Sequence, residues 1–367
     1  MSNLPLHGVR VLDFTTLLPG PLATLLLAEA GATIIKIEPP GGDAVRHQGP
    51  HDANGASVPF QMLNRGKQLR TLDLKTAGDR DRAIALARSA DVLVEQFRPG
   101  VMDRLGLGAP ALHALNPRLI YCSITGYGQS GPHAQRAGHD LNYAAEAGLL
   151  ANVAAHDGSP VLPPTQIADI GGGSWPAVIN ILLALYRRGP DGGGCQLDIA
   201  MADNVWPFQL MPLAKYWATG APSLPGSDLL VGGMPRYNLY ATRDGRWLAL
   251  GALEDRFLAK FAAIAGLQAA APGRAGPSRE AIAQRIREET AAAWLAKCEG
   301  EDVCLSLVRD IREAIDVAAL DTVRAFAGGA TAQRMEPPRL PLPLAPALRG
   351  AEPPAAAREG DHGAGWP

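Results

Sequence analysis

The chain has 367 residues, long enough for a large core and for two domains. Its 34 Lys and Arg nearly balance its 36 Asp and Glu, so no basic face is implied and the charge argues against nucleic acid as a partner. An ordinary charged fraction of 19% describes a globular protein rather than a disordered chain.

From the N-terminus, MSNLPLHGVRVLDF has no basic stretch followed by a long apolar run, so it reads as the start of a fold and not as a signal peptide. VRVLDF (9–14) predicts a strand, PLATLLLAEAG (21–31) a helix ended by Gly31, and TIIKIE (33–38) a second strand. LRTLDL (69–74) predicts a third strand and DRDRAIALARSA (79–90) a helix. DVLVEQF (91–97) and RLIYCSI (118–124) complete a set of short apolar strands. Strands alternating with helices predict an α/β fold with a parallel sheet.

The middle of the chain, IADIGGGSWPAVINILLALYRRGPDGGG (167–194), predicts a buried helix capped by Ser174, with Pro176 in its first turn and Gly189 at its end. LYATRDGRWLALGALE then predicts a hairpin turning at Asp244 and Gly245. A second, smaller domain is expected over 225–325. From PPRLPLPLAP onward the chain is rich in Pro, Ala and Gly and is expected to wrap a surface rather than build a core. No uninterrupted apolar run reaches membrane-spanning length, so no membrane partner is expected.

Several chemistries lack their motifs. LLPGPLA stands where a GxGxxG would follow the first strand, and there is no GxxxxGK[ST] or GxSxG. The runs at Gly171–Gly173 and Gly192–Gly194 read as turns. Cys122, Cys195, Cys298 and Cys304 show no CxxC spacing, which argues against a zinc site and for free thiols in a reducing, cytoplasmic setting. Acid–base or carboxylate-nucleophile chemistry remains. Asp169, just before the expected helix start, would be favoured as carboxylate by the helix dipole, and is equally a capping residue. His139 has Asp140 beside it and Tyr143 four positions on, sharing a face if the segment is helical. Glu254 follows an expected strand, where functional loops often sit.

Five motifs occur in order: NRGKQLRTLDLK (64–75), DVLVEQFRPGVMDRLGLG (91–108), ITGYGQSGP (124–132), GHDLNY (138–143) and ADIGGG (168–173). Together they resemble the class III CoA-transferase family. GHDLNY, ADIGGG and the later GALE are similar to its α-methylacyl-CoA racemase branch. The resemblance implies a Rossmann-like large domain built from both chain ends plus a smaller α+β domain, in an intertwined homodimer. It assigns 1–224 to the large domain, 225–325 to the small one, and 326–367 to a strap returning to the large domain. The active site would lie between the large domain of one chain and the small domain of the other.

By the same resemblance His139 and Asp169 match the two acid/base residues, Glu254 the acid supporting the histidine, and Asp140 and Tyr143 their neighbours. Leu72, Asp73, Leu74, Lys75, Gln96, Phe97, Arg98 and Arg104 match coenzyme-binding stretches, with Gly138 counted beside them. Pro39 departs from the pattern: racemases of the family carry a CoA-phosphate-binding arginine there, and Arg46 or Lys36 would have to stand in. CoA is then part of the substrate, and no separate cofactor or metal is implied.

The implied reaction inverts a carbon next to a thioester carbonyl, which takes a base on one face and an acid on the other. An imidazole with a reference pKa of about 6.5 suits one side, and a partly desolvated carboxylate the other. Backbone N–H groups around Asp169 and its glycine run are the expected donors to the enolate oxygen. The alternative reading is a CoA-transferase, in which Asp169 is the nucleophile and carries an aspartyl-CoA thioester. A third is a catalytically silent CoA-binding protein on the same fold.

Overall fold

The computed structural model describes residues 4–154, 159–190, 192–268, 276–317, 340–350, 356–359 and 365–366. The chain divides into two compact units. The first takes in 1–147, 163–207 and 318–367, and the second 148–162 and 208–317. The division therefore falls at Pro207–Phe208 rather than at 224–225, and the second unit also recruits a short earlier segment.

The first unit opens with strand β1 (Arg10–Phe14), helix α1 (Pro19–Glu29) and strand β2 (Thr33–Glu38). Helix α2 (Val58–Asn64), strand β3 (Gln68–Thr71), helix α3 (Ala77–Ala87) and strand β4 (Val92–Glu95) follow. Next come α4 (Val101–Arg104), α5 (Ala109–Leu115), β5 (Ile120–Thr125) and α6 (Asp140–Glu146). A π-helical segment, Ala168–Ser174, runs directly into α7 (Trp175–Arg188), and β6 (Cys195–Ala200) and α8 (Met201–Asn204) close the series.

The second unit contains α9 (Leu210–Thr219), β7 (Tyr237–Ala241), β8 (Trp247–Gly251), α10 (Asp255–Ala265), α11 (Arg279–Arg287), α12 (Ala291–Lys297), β9 (Leu305–Leu307) and α13 (Ile311–Asp316). Strands β7, β8 and β9 form an antiparallel sheet, with the expected hairpin turning through Gly245 at φ 73°. Its own core gathers Phe261, Ile282, Ile286 and Trp294. A last strand, β10 (Arg358–Glu359), returns to the first unit beside β3.

The large sheet has the order β10-β3-β2-β1-β4-β5-β6, parallel throughout. Successive residues alternate between two cores, as a sheet covered on both faces requires. Val11, Ile34, Val92 and Ile120 join α1, α6, α7 and α8 on one side. Leu12, Ile35, Leu93 and Tyr121 join α3, α4 and α5 on the other. Chain order reverses between β1 and β4, and in such sheets ligands bind beyond the carboxyl ends of the strands at that point.

Three expectations change. Ser174 does not cap α7: its backbone is helical, because the helix already starts in the π-turn that absorbs Gly171–Gly173. Nor is α7 buried all round. Ala177, Ile181 and Ala184 enter the core while Ile179, Leu183 and Tyr186 are exposed. The continuous helical stretch Ala168–Arg188 is long and apolar enough to cross a membrane by composition, but that inward face packs it as a core helix. Finally, the described part of the Pro-rich tail does contribute to cores. Leu340 and Leu342 pack with Leu22 and Leu25, and Trp366 donates its indole N–H to Leu86 O at 3.2 Å.

A cluster of charges lies under the end of β1. Asp13 and Lys67 pair at 3.3 Å and Lys36 and Asp43 at 3.0 Å, all four side chains fully buried. Burial alone would raise the Asp13 carboxyl, but Lys67 and Lys36 overcome this and hold it below the usual range. Removing one partner strands the other without water. Lys67→Met is expected to cost about 3 to 5 kcal/mol, read as a lower urea midpoint at unchanged slope.

Candidate active site

A cavity of about 430 Å³ opens at the reversal point, lined by the loops after β1, β4 and β5 together with the ends of α6 and the π-segment. Thr16 and Leu17 come from the first loop and Pro19 from the first residue of α1, Gln96, Phe97 and Arg98 from the second loop, and Gly126 from the third. Gly138, His139, Asn142 and Tyr143 form another side, and Asp169 and Met201 complete it. The structure thus brings His139, Asp169, Tyr143 and Gly138 together at one pocket.

His139 is not on the helix. It is the N-cap of α6, extended at φ −129° and ψ 176°, and exposed to solvent. Asn142 turns back so that its Oδ1 accepts the His139 backbone N–H at 3.0 Å, which satisfies an otherwise open donor at the helix start. Tyr143, one turn on, is buried and donates its hydroxyl to Gly138 O at 2.5 Å. Burial, with Asp169 next in effect, pushes its phenol up to about 12, so it stays a neutral donor.

Asp169 lies inside the first turn of the π-segment, not ahead of a helix. π-turns are uncommon and concentrate at functional sites. This one is set by close packing: Ser174 Oγ donates to Pro19 O at 2.7 Å, and Gly172 and Gly173 lie flat against Met201. The dipole expectation for Asp169 is overturned. Burial, and after it the Asp140 carboxylate, push the Asp169 carboxyl up to about 6. Asp140 is also not a wall of the cavity. Its Oδ1 accepts the backbone N–H groups of Ala168 at 2.7 Å and Asp169 at 2.9 Å, so it anchors the catalytic candidate's main chain.

Those two hydrogen bonds correct a further expectation. The Asp169 N–H is committed to Asp140, Ile170 N–H goes to Gln166 O at 3.1 Å, and the glycine run is inside a helix. The Asp169 and Ile170 backbone donors counted toward an enolate oxygen are therefore already used.

A second cavity of about 290 Å³ adjoins on the β2 and β3 side, lined by Phe14, Ile37, Pro39, Leu72, Asp73, Leu74, Lys75, Val101 and Leu105. Thr16 and Phe97 line both cavities and mark the waist between them. The stretch 72–75 is a loop beyond β3, not strand, held by the Leu72 N–H to Glu38 O at 2.9 Å. Gln96 Oε1 accepts the Gly20 N–H at 3.1 Å, and Arg98 and Arg104 are exposed. Neither stand-in for the missing arginine is free. Lys36 is fully buried on Asp43 and on Thr15 O. Arg46 pairs with Glu38 at 2.8 Å and lies 3.9 Å over the Phe60 ring.

Glu254 belongs to the second unit, exposed at the N-cap of α10, while both cavities are lined by the first unit alone. Among the described residues no three His, Cys, Asp or Glu side chains gather as a metal site would need. Sequence reasoning did not name Thr16, Leu17, Pro19, Arg136 or Met201 as lining residues. The first three had a usable signal: they follow the first strand, which ends at the reversal point of such sheets.

Fold and pocket define a doubly wound α/β protein whose strand-order reversal carries a cavity bordered by His139 and Asp169 and, sharing Thr16 and Phe97 with it, a mainly apolar one. The model of CoA-transferase family III matches residues 6–358, and the chain belongs to that family. It is 32% identical over 325 residues to the α-methylacyl-CoA racemase of Homo sapiens, covering 85% of this chain and 80% of the relative. To the acetyl-CoA:oxalate CoA-transferase of Acetobacter aceti it is 42% identical over 226 residues, covering 61% and 58%. A CAIB/BAIF family protein from Brucella suis superposes with a TM-score of 0.80 at 27% identity, covering 98% of this chain and 96% of that one.

Proposed function

We propose that the protein is a racemase that inverts the α-carbon of 2-methylacyl-CoA thioesters. The observation that carries this reading is that His139 and Asp169 border one cavity; burial there pushes the Asp169 carboxyl up to about 6, a range in which a carboxyl works as either acid or base. The likeness to a human α-methylacyl-CoA racemase supplies the substrate class.

In this reading the thioester lies in the larger cavity and the coenzyme runs through the waist. Its nucleotide end rests on Ile37, Leu72 and Leu74, with Lys75, Arg98 and Arg104 toward the phosphates. The Asp169 carboxylate takes the α-proton: the C–H bond breaks, an O–H forms, and the electron pair moves into the enolate. The His139 imidazolium returns a proton to the other face, and the roles exchange for the reverse direction. Glu254, from the second unit of a partner chain in the homodimer that the family resemblance implies, would orient the imidazole. The reaction moves protons only and calls on no metal, flavin or nicotinamide; a cytoplasmic setting goes with this reading.

One observation favours a second reading. The highest identity above is to an acetyl-CoA:oxalate CoA-transferase, and a half-buried carboxyl such as Asp169 can serve as nucleophile. Proton NMR of the protein with 2-methylpropanoyl-CoA and, separately, (2S)-2-methylacyl-CoA in deuterated water separates the two, with oxalate or succinate in a parallel tube. Loss of the α-proton signal with formation of the epimer is the expected result. A new oxalyl or succinyl thioester without α-exchange would replace the racemase reading with the transferase one.

A further inference from the structure

The buried charges under β1 are larger than a sheet end needs, and they converge on one loop. Asp13 Oδ1 accepts the Thr15 N–H at 2.8 Å and its hydroxyl at 2.6 Å. Lys36 Nζ donates to Thr15 O at 2.5 Å, and the Leu17 N–H donates to Asp43 Oδ1 at 3.1 Å. Leu17 has φ 60°, a left-handed conformation that leucine rarely adopts. Strain of this kind persists only where the surroundings over-determine it, and it concentrates at functional sites. Leu17 lines the acid–base cavity, and its neighbour Thr16 lines both cavities. Phe97 lines the same waist, and its neighbour Gln96 holds the Gly20 N–H in the first turn of α1, the helix that this loop enters.

We propose that Asp43 is a positioning residue: by accepting the Leu17 N–H it fixes the strained Thr16–Leu17 wall of the waist, and so the place of the thioester relative to His139 and Asp169. This rests on the racemase reading for the identity of the reacting group. Asp43 itself lines neither cavity, and Lys36 serves to make its buried carboxylate tolerable. The role lies in the acceptor oxygen, not in the charge.

Two double variants separate acceptor from charge. Lys36→Met with Asp43→Asn removes both charges and keeps an oxygen for the Leu17 N–H. Lys36→Met with Asp43→Ala removes both charges and the oxygen. The first is expected within about 3-fold of the parent in kcat for α-proton exchange, and the second about 10- to 100-fold lower, since displacements near 1 Å cost that much. The affinity of either for free CoA should stay the same. Equal losses in both variants, or full kcat in the second, would overturn the proposal.

If the second variant does not fold, Lys36→Met with Asp43→Ser takes its place: serine still caps the Val45 N–H while its shorter side chain withdraws from the Leu17 N–H, and parental kcat there overturns the proposal equally. If the parent catalyses no exchange, the racemase reading fails on its own. The ratio of Kd for 2-methylpropanoyl-CoA to Kd for free CoA then decides. A ratio unchanged between the two double variants rejects Asp43 as a positioning residue, and a rise only in the alanine variant supports it.

Discussion

Asp169→Asn should abolish α-proton exchange, by about 10³-fold or more, and at the same time make the protein more stable at neutral pH. The sign follows from the raised carboxyl. An unfolded chain releases this proton near its ordinary value of 3.8, whereas the folded protein holds it to about 6. Folding therefore carries no penalty from this group below the lower value, loses stability as pH rises through the interval, and bears the full penalty above it. The full interval would correspond to about 3 kcal/mol, and partial solvent screening brings the expected gain to ~1 to 2 kcal/mol. Asparagine keeps the shape and leaves the Asp140 hydrogen bonds to the main chain in place. Calorimetric scans at pH 4 and pH 8 read the effect. The variant should melt higher than the parent at pH 8 and level with it at pH 4. Retained exchange, or equal stability at pH 8, would remove Asp169 from its proposed role.

Gly172→Ala should destabilise by about 2 to 3 kcal/mol and lower exchange as well. A Cβ at this position would stand 2.4 Å from Met201 O and 3.1 Å from Val205 Cγ1. The nearest atom is backbone, so it cannot rotate aside. Either the π-turn unwinds or α8 moves away, and the two carry Asp169 and Met201 on the cavity wall. Gly78→Ala is the matched control: a Cβ there meets nothing within 4 Å, and the residue sits in the first turn of α3. Its replacement should leave stability level or raise it by ~0.5 to 1 kcal/mol. Urea midpoints for the two variants make the comparison. Equal midpoints would mean that the contact with Met201 does not hold the π-turn.

Five strands of the large sheet were legible: β1, β2, β4 and β5 because each is a short, mostly buried run with apolar residues on both faces, and β3 because LRTLDL alternates leucines with polar residues. The sixth, β6, was not. Its residues alternate exposed Gln196 and Asp198 with half-buried neighbours, so CQLDIA lacks the continuous apolar signal. β10 has two residues and exists only through its pairing with β3. His139 and Asp169 could be picked out because motif and residue chemistry pointed the same way. The duty of Asp140 could not be, since it depends on hydrogen bonds spanning 28 and 29 residues of chain. Lys36 misled for a similar reason. TIIKIE shows a cation in a strand, but nothing in that stretch says that Asp43 and Thr15 O will close around it.

The sheet of the first unit is built from chain segments made early and late. Strands β1 to β6 end at Ala200, whereas β10 and the leucines at 340 and 342 come only after the whole second unit. On a ribosome adding roughly 5 to 20 residues per second, the edge of β3 and the apolar face of α1 wait several seconds or more for their cover. During that interval the second unit, whose core lies within residues 240–303, has all of its own hydrophobic partners in hand. Synthesis order thus favours completing the inserted unit first. The nascent first unit then depends on chaperones, or on speed, to keep an open strand edge and a leucine-rich surface from pairing with other chains.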